Sequence, residues 1–180
     1  MALAVGTPSW HPHVDVWLLV AALAATYAVA VVRVGPRYTE PGRAAVTRLQ
    51  AVCFALGVVA IWVAADWPVH DIAERYNYSI HMVQHLVLSM VAAPLLLLGT
   101  PAWMLRAILR PPSHLFRAVR FFSRFLPALI VFNLVLVFTH WPALVDFSLR
   151  SGLAHFLVHA LIFVSSLVVS AALFWPRMWP

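Results

Sequence analysis

Two pairs of histidines with one spacing dominate the chemistry this chain can offer. His81 and His85 stand four residues apart at the start of an apolar run, residues 80–98, that has no charged side chain. His155 and His159 repeat the spacing at the start of a second apolar run near the C-terminus. On a helix, residues four apart share a face with about 6 Å of rise between them. Ionisable groups inside such runs are costly in lipid and mark a function or a specific partner. Neutral imidazole is the commonest protein ligand for Zn, Cu, Fe and Ni ions. Met82 adjoins His81 and Met90 lies deeper in the same run. Soft thioethers near imidazoles favour Cu(I) over Zn.

The elements that position these pairs must cross a bilayer. Of 180 residues, 63% are hydrophobic and only 10% charged, with mean hydropathy +0.89. Soluble domains carry about 25% charged residues. The chain therefore reads as one all-α integral membrane domain, residues 1–180. Five spans are expected, at residues 16–32, 49–65, 80–98, 126–141 and 153–175. The fourth is short and must tilt or recruit Phe121 and Phe122. Residues 103–125 differ: Arg106, Arg110, Arg117, Arg120 and Arg124 fall within about 80° of a helical wheel. Pro111-Pro112 breaks that helix into two pieces, and an Arg-faced, aromatic-backed segment of this kind lies in the membrane interface. Residues 66–75 and 139–152 read as polar loops.

The net charge of +6 does not indicate nucleic acid. All twelve basic residues are arginine, and ten of them flank the spans on one side, which is the signature of topology signals. The positive-inside rule puts those ten in the cytoplasm, the N-terminus outside and the C-terminus inside. Eight of the nine histidines then fall on the outer side, and only His114 on the inner. Spans three and five both enter from outside, so their histidine pairs lie at matching depth. His70 and His140, in the outer loops, stand between a ligand or transfer role and ordinary hydrogen bonding. Asp71, Glu74 and Asp146 are candidates for outer partners that orient the rings. His11, His13 and His114 read as ordinary interfacial or interhelical hydrogen-bonding histidines. The single cysteine, Cys53, allows no internal disulfide and reads as a small buried apolar residue.

Haem is the competing ligand. A bis-histidine haem takes one histidine from each of two helices and would leave half of this set unused. The histidine spacing also occurs in membrane di-iron sites, but these need more histidines, and on the cytoplasmic side. A b-type haem electron carrier and a structural or pH-sensing membrane subunit both stay open on the residues alone.

Several stretches together resemble one family. They are Trp67-Pro68-Val69-His70-Asp71, His81-Met82-Val83-Gln84-His85-Leu86, and Ala93-Pro94 through Leu98-Gly99-Thr100-Pro101. Further along stand His140-Trp141-Pro142, the His155 to His159 stretch, and Phe174-Trp175-Pro176. The chain resembles, from about Trp10 onward, the CtaG-type assembly factors of cytochrome c oxidase, found in bacteria with caa-type oxidases. That resemblance implies a multi-pass protein of the bacterial plasma membrane that helps mature the oxidase and has no catalytic turnover. It implies copper delivery at the outer face, with an oxidase subunit and an outer-face copper chaperone as partners. The two histidine pairs match the family's motif positions. Family members usually continue with further spans, so the resemblance also implies either a piece of a longer protein or a short variant.

Overall fold

Capping chemistry and proline decide where the helices of this chain begin and end. The computed structural model describes residues 12–40, 42–75, 78–110 and 112–178, without the side chains of residues 74, 75, 78, 149 and 175–178. His11 and the Glu74 side chain thus lie outside the described residues. Helix α1 (Val14–Val29) runs on through a π turn (Ala30–Val34) and a 3-10 turn (Gly35–Arg37) containing Pro36. Helix α2 (Arg48–Ala65) opens in a capping box. The Gln50 backbone N–H donates to Thr47 Oγ1 at 3.2 Å, and the Thr47 N–H donates to Gln50 Oε1 at 3.0 Å. Then come α3 (Val69–Arg75) and α4 (Tyr78–Leu86). A π turn (Val87–Ala92) joins α4 to α5 (Ala93–Gly99). Pro94 has no N–H to give the preceding turn, and a widened turn ahead of it accommodates that loss.

The remaining helices are α6 (Ala102–Leu109), α7 (His114–Phe122), α8 (Phe125–Thr139), α9 (Pro142–Leu149) and α10 (Gly152–Met178). Among the described residues all regular structure is helical. Four stretches are long and apolar enough to cross a bilayer: Val14–Arg37, Arg48–Ala65, Ser79–Gly99 and Gly152–Phe174. The fifth is the pair α7 and α8, bent by 81°. Alone, the 15 residues of α8 reach only about 22 Å, short of the ~30 Å hydrocarbon layer. The expected break in residues 103–125 falls between α6 and α7.

Two expected loops contain helices instead. α3 occupies most of residues 66–75, and α9 lies within residues 139–152. Each starts beside a proline, Pro68 or Pro142, where the missing N–H costs nothing because the first turn has no acceptor for it.

Packing centres on α2 and α5. Phe54, Val58, Ile61 and Ala64 of α2 form the core with Leu96 of α5 and with Leu88 and Ala92 of the π turn. Lipid solvates apolar side chains as well as protein does, so such contacts hold by close packing of small residues. Gly57 and Gly99 provide the approach. A Cβ on Gly99 would stand 2.5 Å from the Phe54 backbone nitrogen, and one on Gly57 would stand 2.9 Å from the Leu96 side chain. Tyr27 of α1 stacks on Phe54 with ring centroids 3.6 Å apart and donates its hydroxyl to the Gly99 carbonyl at 2.8 Å. At this end the two arginine-rich connections meet: the Trp103 indole donates to the Ala45 carbonyl at 2.7 Å and stacks on Tyr38.

On α10, Ile162, Ser165, Ser166 and Ser170 are buried. Ser165 and Ser166 turn their hydroxyls back onto the Ile162 carbonyl at 2.8 and 2.7 Å, which satisfies them without a partner helix. Ile162, Ser166 and Ser170 lie below His155 and His159 at helical spacing. The face that packs against α5 and the π turn is therefore also the face that carries the second histidine pair.

A histidine cluster at one end of the bundle

At the end opposite the arginine-rich connections, α4 and α10 bring the two pairs together. On α4, the Nε2 atoms of His81 and His85 are 2.8 Å apart. On α10, those of His155 and His159 are 3.0 Å apart. Across the helices, the His85 and His159 rings stack with centroids at 4.6 Å and planes 21° apart. His81 stands 5.6 Å from His159 and 6.1 Å from His155. One ring nitrogen each from His81, His85 and His159 lies within 4.8 Å of the others.

Other elements enlarge the cluster. His70 of α3 lies edge-on to His155 at 5.8 Å, and His13, just ahead of α1, lies edge-on to His70 at 4.9 Å. His140, which caps α8, stands 5.7 Å from His85. Its Nδ1 is 2.7 Å from the Leu136 carbonyl, so Nδ1 carries the proton and Nε2 keeps its lone pair. A carbonyl on one nitrogen commonly fixes the other as a ligand atom. Seven imidazoles thus form one continuous array across five elements.

The array is held by polar contacts. Gln84, 2% exposed, donates from Nε2 to His70 Nδ1 at 3.1 Å and so ties α3 to α4. Its Oε1 and the Nδ1 of His85 are buried without a hydrogen-bond partner. A buried polar atom left unpaired costs about 1–3 kcal/mol, so both mark a place where a further group would be stabilising. Asp71, 4% exposed, takes His13 Nε2 at 2.9 Å. It therefore braces His13 directly, and through it the edge of His70.

Asp66 staples the neighbouring rim. Its carboxylate accepts the Trp62 indole at 2.7 Å, the Trp17 indole at 2.8 Å and the Trp67 backbone N–H at 2.8 Å. Burial pushes this carboxyl up, but the three hydrogen bonds, with the nearby His13, outweigh it and hold it below the usual carboxylate range. The sign follows from that direction. The stabilisation is fully present above about pH 4 and is lost as pH falls through the lowered folded value. Asp66→Ala leaves two indole N–H groups without their acceptor, and a loss of about 2–3 kcal/mol is expected. Detergent-solubilised protein followed by tryptophan fluorescence on heating measures it. Melting unchanged from wild type would show that the staple carries no stability.

The structure sorts the remaining candidates. Met82 is half-buried, about 60° round α4 from His85. Met90, deeper on the same stretch, is 52% exposed. Asp146 is exposed on α9 and makes no hydrogen bond or ion pair among the described residues. His114 is exposed and bonded to Arg117 at 2.9 Å, away from the array, as its sequence position suggests. His13 hydrogen-bonds between elements, to Asp71, as its sequence reading expects, and its ring also joins the edge of the array. No periodicity or spacing signalled it, because its neighbours come from α3, 57 or more residues away.

In chemical terms the array offers a clustered set of nitrogen donors. Two lone pairs facing at 2.8–3.0 Å repel unless a proton or a cation lies between them. Nitrogen ligands about 2.0–2.1 Å from a tetrahedral ion are about 3.3 Å apart, close to these separations. The donor set, the spacing and the orphaned His85 nitrogen all fit a soft or borderline metal ion.

Long apolar helices and a buried polar end layer define a multi-pass helical membrane protein. The family model described as cytochrome c oxidase caa3 assembly factor (Caa3_CtaG) matches residues 25–180, and the chain belongs to that family. The match includes six of the seven clustered histidines and leaves out His13. No curated protein and no solved structure matches the chain significantly.

Proposed function

We propose that this protein carries a copper ion, as Cu(I), to a maturing cytochrome c oxidase at the outer face of the bacterial plasma membrane. The observation that carries the reading is the convergence of His81, His85 and His159 from two helices into one nitrogen set. In this reading those three hold the ion with His155 as a fourth donor. His70 and His140, on opposite flanks of the set, exchange it with an outer-face copper chaperone and an oxidase subunit. Copper is cargo here, so the ligands must release it as well as bind it. Neutral imidazoles at an open end suit that better than a closed thiolate cage, because protonation or a competing ligand displaces them. The side of the membrane follows from the arginine distribution.

The test is complementation. Cells lacking this protein are expected to make oxidase deficient in copper, restored by wild type and not by His81→Ala/His85→Ala/His159→Ala. Copper and haem are quantified in the purified oxidase. An oxidase fully loaded with copper in the triple-variant strain would sink the reading. A Soret band on the purified assembly factor would turn it toward the haem alternative.

A further inference from the structure

The opposite end of the molecule holds a second site, independent of the histidines. Where α7 bends into α8, a cavity of about 680 Å³ is lined by Arg117, Arg120, Ser123, Arg124, Phe121 and Phe125, with Ala172 of α10 at its back. Arg117 and Arg120 stand three residues apart on α7, and Arg124 stands just past the bend, ahead of α8. Arg43–Glu40 is the ion pair that engages an arginine among the described residues, and none engages these three. The sequence has no acidic residue between Glu74 and Asp146, so no carboxylate of this segment can neutralise them. Ser123 is 6% exposed, lines the cavity, and its hydroxyl makes no hydrogen bond to protein among the described residues. Around these polar groups the surface is greasy: Leu115, Phe121, Phe122, Phe125 and Leu126 are all exposed.

We infer that this cavity binds the phosphate of an anionic glycerophospholipid, with its acyl chains lying along the exposed phenylalanines. Three guanidiniums and a hydroxyl match phosphate oxygens, which accept paired N–H donors from arginine. Lateral aromatic surface at the level of a bilayer interface suits acyl chains and has no use for a free ion. The 81° bend supports the placement: α8 is the apolar, crossing half, and α7 lies across it with its arginines on one side and the buried Phe116 turned inward. Juxtamembrane arginines on the cytoplasmic side meet the anionic leaflet and are attracted to it. A bound lipid would also fix the bend and so the α8–α10 packing that brings His140 toward the array.

The full chain in nanodiscs tests this, with thermal stability as readout. Discs of phosphatidylcholine are compared with discs containing phosphatidylglycerol, and detergent-solubilised protein is titrated with inorganic phosphate. Phosphatidylglycerol is expected to raise the melting temperature and to copurify with the protein. Arg117→Gln/Arg120→Gln/Arg124→Gln is expected to lose that gain and to weaken lipid retention at least ~10-fold. Arg33→Gln/Arg37→Gln/Arg43→Gln removes the same charge elsewhere on that side and is expected to keep both. Equal loss in the two triple variants would show mere surface attraction and overturn the site. So would equal stabilisation by phosphatidylcholine, or by inorganic phosphate alone. Because the readout uses no copper, failure here leaves the histidine proposal standing, and the reverse also holds.

Discussion

His85→Ala/His159→Ala should lower the Cu(I) affinity of the purified protein by more than about 100-fold. Loss of a group that merely orients a ligand costs about 10–100-fold, so loss of two ligands from one set must exceed that. These two are the natural choice because their rings stack at 4.6 Å and join the helices, whereas each N···N contact lies within one helix. The array should tolerate the change structurally. The core formed by Phe54, Val58, Leu96 and their neighbours includes neither residue. Competition against a chromophoric Cu(I) chelator measures the affinity. His114→Ala, outside the array, should bind as wild type does. His155→Ala should lose less than the double variant, because the set of His81, His85 and His159 survives it. A double variant that binds Cu(I) as tightly as wild type would show that the convergence is not a ligand set.

Much of this arrangement could be read in advance because it follows from period and charge. The spacing of His81 to His85 and of His155 to His159 needs only a helix to face each pair one way. The arginine distribution needs only the positive-inside rule to bring both pairs to one end. Pro111-Pro112 announces the break between α6 and α7. What stayed hidden depends on short elements and long-range partners. Residues 66–75 show no apolar period, so α3 looked like a loop. With α3 unseen, nothing connected His13 to His70 or to Asp71. The bond of Gln84 to His70 exists only because α3 folds back over α4. The Asp66 staple joins indoles on two spans, and such a meeting of α1 and α2 has no local signature.

Gly99→Val is the substitution with the largest expected structural effect. Gly99 ends α5 against α2, where a new Cβ would meet Phe54 backbone nitrogen at 2.5 Å, Phe54 Cβ at 2.6 Å and Phe54 Cα at 2.7 Å. Backbone in the middle of α2 cannot swing aside as a side-chain tip can. The helices must separate, and the hydrogen bond from Tyr27 to the Gly99 carbonyl and the stack of Tyr27 on Phe54 go with that contact. Overpacking alone costs about 1–3 kcal/mol, and a lost hydrogen bond adds about 1 kcal/mol. The damage should reach the histidines. α5 continues α4 through the π turn, and Leu88, Ala92 and Leu96 share one core with α2. Displacing α5 therefore changes how α4 presents His81 and His85 to α10. The expected result is a marked drop in melting temperature together with weakened Cu(I) binding, although no ligand has been touched. Gly152→Ala is the matched control: nothing stands within 4 Å of its added carbon, and it should leave both properties unchanged. If Gly99→Val melted and bound Cu(I) like wild type, the α2–α5 contact would not be what holds the first histidine pair in register.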